Sequence, residues 1–291
     1  MTVTASMVKE LRERTGAGMM ECKKALVETN GDLDAAAEEL RKSGQAKADK
    51  KASRVAADGR VVVSTDAGRA VIAEINSETD FVAKDENFIG FAEAVAAAAL
   101  SSNTSDVDAL ASQAIDDSRS VDQARTDLIS KVGENISVRR VSIVGGEGPI
   151  GHYTHGARIA AVVILEGGDD ELARDIAMHV AATNPVCTDA DGVPAETLER
   201  ERRIFSEQAA ESGKPPEIVE KMVSGRVAKF LKEITLVGQP FVKDPDISVG
   251  KLLKDQGASV ASFVRFEVGE GIEKKADNFV EEVMAQVKGT A

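Results

Sequence analysis

Apolar residues recur every three or four positions in the first part of the chain, which is the pattern of amphipathic helices. One stretch reads TASMVKELRERTGAG and carries Val8 and Leu11 on one face, with Thr4 or Ser6 as its N-cap. A second stretch reads MMECKKALVETNG, and its final Asn-Gly pair is a helix stop. Two consecutive helices are therefore predicted before Asp32.

A third helix is predicted in the stretch DLDAAAEELRKSG, which begins at the N-cap Asp32 and is expected to end at Gly44. The run QAKADKKASR follows, rich in lysine and alanine and free of aromatic residues. This composition favours a solvated linker over an arm that binds nucleic acid. The pattern predicts a three-helix domain at 1–45 and a linker at 46–57.

The helical spacing of apolar residues stops after the linker. Two runs rich in β-branched residues follow, Val61–Ser64 and Ala70–Ile75, and they flank the turn TDAG. This arrangement predicts a β-hairpin. Helices are expected from about Glu86 to Leu100 and from about Val121 to Gly133, followed by a strand in ISVRRVSIV. Together these elements predict one α+β subdomain at 58–144.

The same order returns in HYTHGARIAAVVILEGGDDELARDIAMHVAA, which predicts a strand, a turn, a strand and an alanine-rich helix. The turn at Thr65–Arg69 aligns with Thr154–Arg158. The expected fold is therefore α+β, with two repeated subdomains built on antiparallel sheets, the second at 145–190 and 235–268. A last strand and helix, in SFVRFEVGEGIEKKADNFVEEVMAQV, predict a C-terminal helical module at 269–291.

A strongly charged insertion at 191–234 separates the two parts of the second subdomain. Each of its arms carries one narrow seam of apolar residues, and Gly213 with Pro215-Pro216 forms the turn between them. The pattern predicts an antiparallel helical hairpin of the coiled-coil type. Two roles are open for it: a structural arm, or a protruding surface for a partner or for self-association.

The composition of the chain restricts which classes of function are possible. The chain has 291 residues, a formal net charge of −13 and a pI of about 4.9, so nucleic-acid binding is not expected. Two distant cysteines, with no CxxC pair, indicate a reducing compartment. No signal peptide and no long apolar run is apparent, which predicts a cytosolic protein that does not bind a membrane.

Catalytic constellations are not evident in the sequence. His152 and His155 lie three apart in a predicted strand, where they face opposite sides, and His179 lies in a predicted helix. The glycine-rich stretch GGEGPIG lacks the Lys-Ser/Thr of a phosphate-binding loop, and no histidine is placed to activate Cys187. The expectation is a protein that is not an enzyme and holds no metal or cofactor.

One aromatic residue stands out because aromatics make up only 3% of the chain. Phe81 lies in the middle of the polar stretch NSETDFVAKDENF, between a predicted strand and a predicted helix. Two interpretations are open. Phe81 packs back as a staple on Phe88 or Phe91, or it projects outward and is buried only in another protein, as interface anchors are.

Several motifs of the chain together resemble the elongation factor Ts family, the guanine-nucleotide exchange factors of elongation factor Tu. The resemblance covers essentially the whole chain and rests on these stretches in order: VKELRERTGAGMMECKKAL, TDFVAKDENF, HGARIA, HVAATNP, SGKPPEIVEKMVSGRVAKF, GQPFVKD and FVRFEVGEGIEKK. It implies that the N-terminal domain is ubiquitin-associated-like and that the hairpin is the coiled-coil insertion found in longer members.

The resemblance also implies a mechanism. Asp80 and Phe81 would reach the GTPase domain of elongation factor Tu near its magnesium site, so that GDP leaves and GTP can bind. The implied contact residues for elongation factor Tu, in its GDP-bound and nucleotide-free states, are Arg12, Met19, Met20, Thr79, Asp80, Phe81, Val82 and His155. A C-terminal helix near Asn278 to Met284 would add to this contact, and this chain itself would not bind nucleotide.

Two other classes of function are carried as alternatives. In the first, the chain is an interaction scaffold whose N-terminal domain binds a ubiquitin-like fold and whose hairpin dimerises. In the second, it is a metal-dependent hydrolase that uses His152, His155 and nearby acids. Whether the chain forms a homodimer, through its core or its hairpin, is open.

Overall fold

The computed structural model describes residues 3–211 and 213–273. Most of the predicted C-terminal module at 269–291, including the helix expected near Asn278 to Met284, lies outside these residues. Its first five residues form a turn and a short irregular segment.

The chain begins with the helices α1 (Ala5–Thr15), α2 (Met19–Glu28) and α3 (Leu33–Lys51). The N-caps of α1 and α3 are among the predicted ones: Thr4 Oγ1 accepts a hydrogen bond from the Met7 amide, and Asp32 accepts from two amides of the first turn of α3. Leu11 and Leu26 are fully buried at the centre of this unit. The helical period of the apolar residues therefore forms a small core of its own.

The next unit is a three-stranded antiparallel sheet covered by helices on one face. Its strands lie in the order β1-β2-β3, and β1 and β2 form the predicted hairpin, joined by Ala67 and Gly68. The short helices α4 and α6 were not expected from the sequence. The elements, in chain order, are β1 (Asp58–Asp66), β2 (Arg69–Ser77), α4 (Asp80–Ala83), α5 (Glu86–Ser102), α6 (Val107–Ala111), α7 (Val121–Val132) and β3 (Ser137–Gly145).

Helix α3 is longer than predicted, because it continues through Gly44 to Lys51. Gly44 is buried, and a Cβ atom added there would lie 3.1 Å from Ser130 Oγ on α7. The missing side chain lets the two helices approach, and Ala48 is buried in the core beneath the first sheet. The prediction of a helix end at Gly44 and of a linker from residue 46 is therefore wrong, and only residues 52–57 connect α3 to β1.

The second sheet, β4-β5-β8, is also three-stranded and antiparallel. As in the first sheet, a hairpin is followed by a helix, and a later strand pairs with the second strand of the hairpin. The small pair β6-β7 and helix α11 were not predicted. The elements are β4 (Ile150–His155), β5 (Ile159–Glu166), α8 (Asp170–Thr183), α9 (Ala195–Ala210), α10 (Pro216–Ile234), β6 (Pro240–Phe241), β7 (Asp244–Ser248), α11 (Val249–Asp255) and β8 (Ser259–Glu267).

The predicted α+β class is confirmed by this content of helices and antiparallel sheets. The two sheets pack against each other through one apolar layer, and the helices cover their other faces. The layer comprises Val61, Ala70, Ile72, Ala160, Val162, Phe266 and Val268. A buried ionic cluster lies in the same region. The carboxylate of Glu74, which is completely buried, accepts hydrogen bonds from Arg139, from Arg140 and from the Gly269 amide at the end of β8.

Helices α9 and α10 form the predicted antiparallel hairpin, with a seam of its own in which Phe205 meets Phe230 edge-on at 6.4 Å. At its base, the Val186 amide donates to the Ile234 carbonyl at 2.8 Å, and the Leu236 amide donates to the Cys187 carbonyl at 2.9 Å. The two ends of the hairpin therefore leave the second subdomain side by side.

Candidate functional site: an exposed phenylalanine on a fixed turn

A single helical turn, α4, carries the Asp-Phe pair that the sequence singled out. Thr79 is its N-cap, and Asp85 caps α5 immediately afterwards by accepting from the Asn87 amide at 2.9 Å. Val82 packs against the apolar core of the first subdomain, and Ala83 is buried in it. Residues 79–84, called here the Phe81 turn, are therefore attached to the core at both ends.

Phe81 itself points away from that core, with 81% of its surface exposed. Phe88 and Phe91, the two residues on which a staple would form, are buried in the core without it. The interpretation of Phe81 as a staple is therefore wrong. Burying a side chain of this type is worth about 1.5–3 kcal/mol, so the free protein leaves that energy unused.

Asp80, next to the exposed ring, is charged at neutral pH. Its Oδ2 accepts a hydrogen bond from Lys84 Nζ at 2.6 Å, one helical turn further on. This hydrogen bond lowers the pKa of the carboxyl below its usual value. The turn thus presents an apolar ring beside a paired carboxylate.

A third carboxylate, which sequence reasoning missed, lies behind the turn. Glu134 Oε2 accepts from the amides of Glu78 (3.1 Å) and Thr79 (3.0 Å), and its Oε1 accepts from Thr79 Oγ1 at 2.6 Å. In the opposite direction, Glu78 Oε1 accepts from the Asn135 amide at 2.6 Å. These four residues are called here the Glu134 network; no local motif signals it, because its two halves lie more than fifty positions apart.

The N-terminal helices carry the second group of predicted contact residues. Met19 and Met20 open α2 and are 60% and 72% exposed, and Arg12 is exposed on α1. Exposed methionines adapt to irregular partner surfaces. Met19 and Met20 do not fill the core of the N-terminal helices, which Cys22 and Leu26 of the same helix occupy instead.

His155, the remaining predicted contact residue, lies on a different sheet. It is exposed at the end of β4, and its ring stacks on Tyr153 with 6.4 Å between centroids. The eight predicted residues thus lie on three different parts of the fold: Thr79 to Val82 on the Phe81 turn, Arg12 and the two methionines on the N-terminal helices, and His155 on the second sheet.

The histidines form no metal site among the described residues, in which no group of three His, Cys, Asp or Glu side chains is arranged to hold an ion. His179 is fully buried, with Nε2 bonded to Gln239 Oε1 at 2.9 Å and Nδ1 accepting from the Val242 amide at 3.2 Å. Burial lowers its pKa, so this ring is a neutral structural group.

Exposed aromatic and methionine side chains on anchored elements are typical of proteins whose surface binds other proteins. Comparison with known sequences is more specific. Residues 78–270 match the model of the family Elongation factor TS. A relative named Elongation factor Ts from Thioalkalivibrio sulfidiphilus is 65% identical, covering 99% of this chain and 100% of that protein.

Two further relatives carry the same name. The protein from Methylococcus capsulatus is 60% identical over all of both chains, and the protein from Legionella pneumophila strain Paris is 59% identical over 99% of each. The chain belongs to the elongation factor Ts family. This membership makes it a translation elongation factor and supports a role in nucleotide exchange on elongation factor Tu. No helix of the described residues is long and apolar enough to cross a membrane.

Proposed function

We propose that this chain binds elongation factor Tu carrying GDP, inserts Phe81 near the magnesium site of that GTPase, and so promotes GDP release. The single observation that carries the proposal is the exposure of Phe81 on an otherwise anchored turn. Because the ring is exposed to water in the free chain, the free energy of burying it becomes available only when another protein covers it.

The physical mechanism is negative coupling between two ligands of the same GTPase. Binding of the chain must weaken GDP binding, and GDP must weaken binding of the chain by the same factor. If the burial energy of Phe81 becomes available only when the metal site of the partner is distorted, it accounts for about a tenfold to hundredfold increase in GDP release. Such a step makes and breaks no covalent bond, and this chain then needs no catalytic side chain.

The other predicted residues have separate tasks in this proposal. Arg12, Met19 and Met20 contact the same GTPase domain from the N-terminal helices, and His155 contacts the partner from the second sheet. Their distribution over separate elements supports a broad contact that holds the complex together while Phe81 acts on the nucleotide site. Truncating these residues should therefore weaken affinity more than it lowers the maximal release rate.

The test is release of a fluorescent GDP analogue from elongation factor Tu, with excess unlabelled GDP and substoichiometric amounts of this chain. The wild-type chain should accelerate release catalytically, and Phe81→Ala should lose about tenfold to a hundredfold of that rate while still binding. Ile204→Ala, which trims another exposed apolar side chain on the distant hairpin, is the matched control and should keep the wild-type rate.

Two results would contradict the proposal. No acceleration by a wild-type chain that binds the GTPase would make it an interaction scaffold. A normal rate for Phe81→Ala would mean that exchange does not depend on the exposed ring.

A further inference from the structure

The backbone at the start of the Phe81 turn is held by hydrogen bonds to the carboxylate of Glu134. We propose that Glu134 is a positioning residue for nucleotide exchange, holding the turn in the conformation that presents Phe81. The inference rests on the proposed function of Phe81, and it extends that function to a residue that would not itself contact the partner.

The geometry of the carboxylate is the first argument. Its two oxygens take three donors, the Glu78 and Thr79 amides and the Thr79 hydroxyl, at 2.6 to 3.1 Å. These donors directly precede Asp80 and Phe81 in the chain. Hydrogen bonds to a carboxylate are stronger than those between neutral groups, so Glu134 holds the two amides ahead of the ring, while the Thr79 carbonyl accepts from Ser77 Oγ at 2.9 Å.

The Thr79 hydroxyl shows why this contact reaches the ring. Its hydrogen is donated to Glu134 at 2.6 Å, and its oxygen faces the Val82 amide at 3.4 Å as the N-cap of α4. A four-residue helix has no length to stabilise it, because helix nucleation is unfavourable. Glu134 therefore orients the cap, and the cap orients the single helical turn that carries Phe81.

The support behind Glu134 is rigid. The residue follows directly on Gly133, which ends α7 in a left-handed conformation with φ 82°, and α7 is anchored by the buried Leu128 and Ile129. The neighbouring Asn135 donates its side-chain amide to the Arg54 carbonyl at 2.8 Å. The Glu134 network thus joins three segments: the chain leaving α3, the Phe81 turn and the end of α7.

Hydrogen exchange tests the positioning directly, without the partner. In Glu134→Ala the amides of Glu78 and Thr79 lose their acceptor, so exchange should become faster in the segment 77–84 and stay unchanged in β1 and α5. Unchanged protection of this segment would overturn the inference.

The kinetics of GDP release test the functional part of the inference. In Glu134→Ala the turn should present Phe81 for only a fraction of the time, which lowers the maximal GDP release rate by about tenfold. The concentration of chain giving half-maximal rate should change little, since Arg12, Met19, Met20 and His155 are untouched. Glu134→Gln, which keeps one acceptor oxygen, should lie between the wild type and the alanine variant.

A double-mutant cycle separates positioning from a general loss of folded protein. Adding Glu134→Ala to Phe81→Ala should cause no further loss of rate, whereas partial unfolding would lower the rate equally in both backgrounds. Glu93→Ala removes an exposed carboxylate on α5 that makes no hydrogen bond within the described part of the chain, and serves as the matched control.

The outcomes are distinguishable from failure of the proposed function. If the wild-type chain does not accelerate GDP release, the proposed function itself is wrong. If it does, and Phe81→Ala is slow while Glu134→Ala runs at the wild-type rate, only the positioning role is overturned. A loss for Glu134→Ala that persists in the Phe81→Ala background would overturn it as well.

Discussion

At the scale of single residues, Glu74 shows how a buried charge is kept. Burial alone would raise the pKa of this carboxyl, but hydrogen bonds from the Gly269 amide, Arg139, Arg140 and Asn76 outweigh it and hold the pKa below its usual value. Because the folded-state pKa is depressed, the carboxylate stabilises the fold fully above the unfolded-state pKa of about 4.3. This stability is lost as the pH falls through the depressed folded-state value.

Glu74→Gln should therefore be destabilised by about 2–3 kcal/mol near neutral pH, because Arg139 loses its carboxylate partner and Arg140 keeps only its pairing with Glu270. Its free energy of unfolding should also depend less on pH than that of the wild type as the pH falls below about 5. Urea unfolding across this range measures both effects. Glu147→Gln, at an exposed loop position, should change neither, and a parallel acid response of Glu74→Gln and wild type would contradict the assignment.

Phe81 and Glu134 mark what a sequence does and does not reveal about a site. Phe81 is detectable because it is an aromatic side chain in the middle of a polar stretch, in a chain where aromatics make up only 3% of the residues. The sequence could not show that Phe81 points outward, because its spacing from Phe88 fitted a staple equally well. Glu134 has no local signal, because its partners lie 55 and 56 positions away and only the fold brings them together.

At the scale of elements, the contact between α3 and α7 depends on a residue without a side chain. Replacing a helical glycine by alanine normally stabilises a protein by up to about 1 kcal/mol. At Gly44 the added Cβ would lie 3.1 Å from Ser130 Oγ, whereas Gly90 of α5 faces open space. The same substitution should therefore have different effects at these two positions.

Gly90→Ala should raise the thermal unfolding midpoint, Gly44→Ala should raise it less, and Gly44→Leu should lower stability by about 1–3 kcal/mol through overpacking. Calorimetry gives the stabilities, and hydrogen exchange in residues 44–51 shows whether α3 has separated from α7. Equal stabilisation by alanine at both sites would show that the two helices do not need this close approach.

Helix α3 also shows where prediction by pattern fails. Periodicity correctly indicated the β1-β2 hairpin, α5, α7, α8 and the coiled-coil hairpin, since each buries a regular stripe or alternation. The second half of α3 has no such stripe: it follows a glycine, is rich in lysine, and is held by tertiary contact with α7. The pair β6-β7 was missed for a similar reason, because a strand of two residues carries no period.

At the scale of the whole molecule, the coiled-coil hairpin is a separable part. Its seam is a distinct apolar cluster, and its two ends meet beside Val186 and Cys187. Replacing residues 195–233 by a short glycine linker should remove helical signal in circular dichroism and leave the unfolding midpoint of the remainder within a few degrees, because the two sheets and their shared layer are untouched. Loss of cooperative unfolding would show that the hairpin is an integral part of the core.

The continuous helix α3 has one more consequence for a protein that binds through several patches. A flexible tether between the N-terminal helices and the Phe81 turn would leave the second contact to chance encounter, at an effective concentration set by the length of the tether. Here the spacing between the two patches is fixed by a helix that packs on the core through Gly44 and Ala48. Once one patch is bound, the other is already at a fixed distance from it. Only a partner whose two binding sites have the same separation can therefore contact both patches at once.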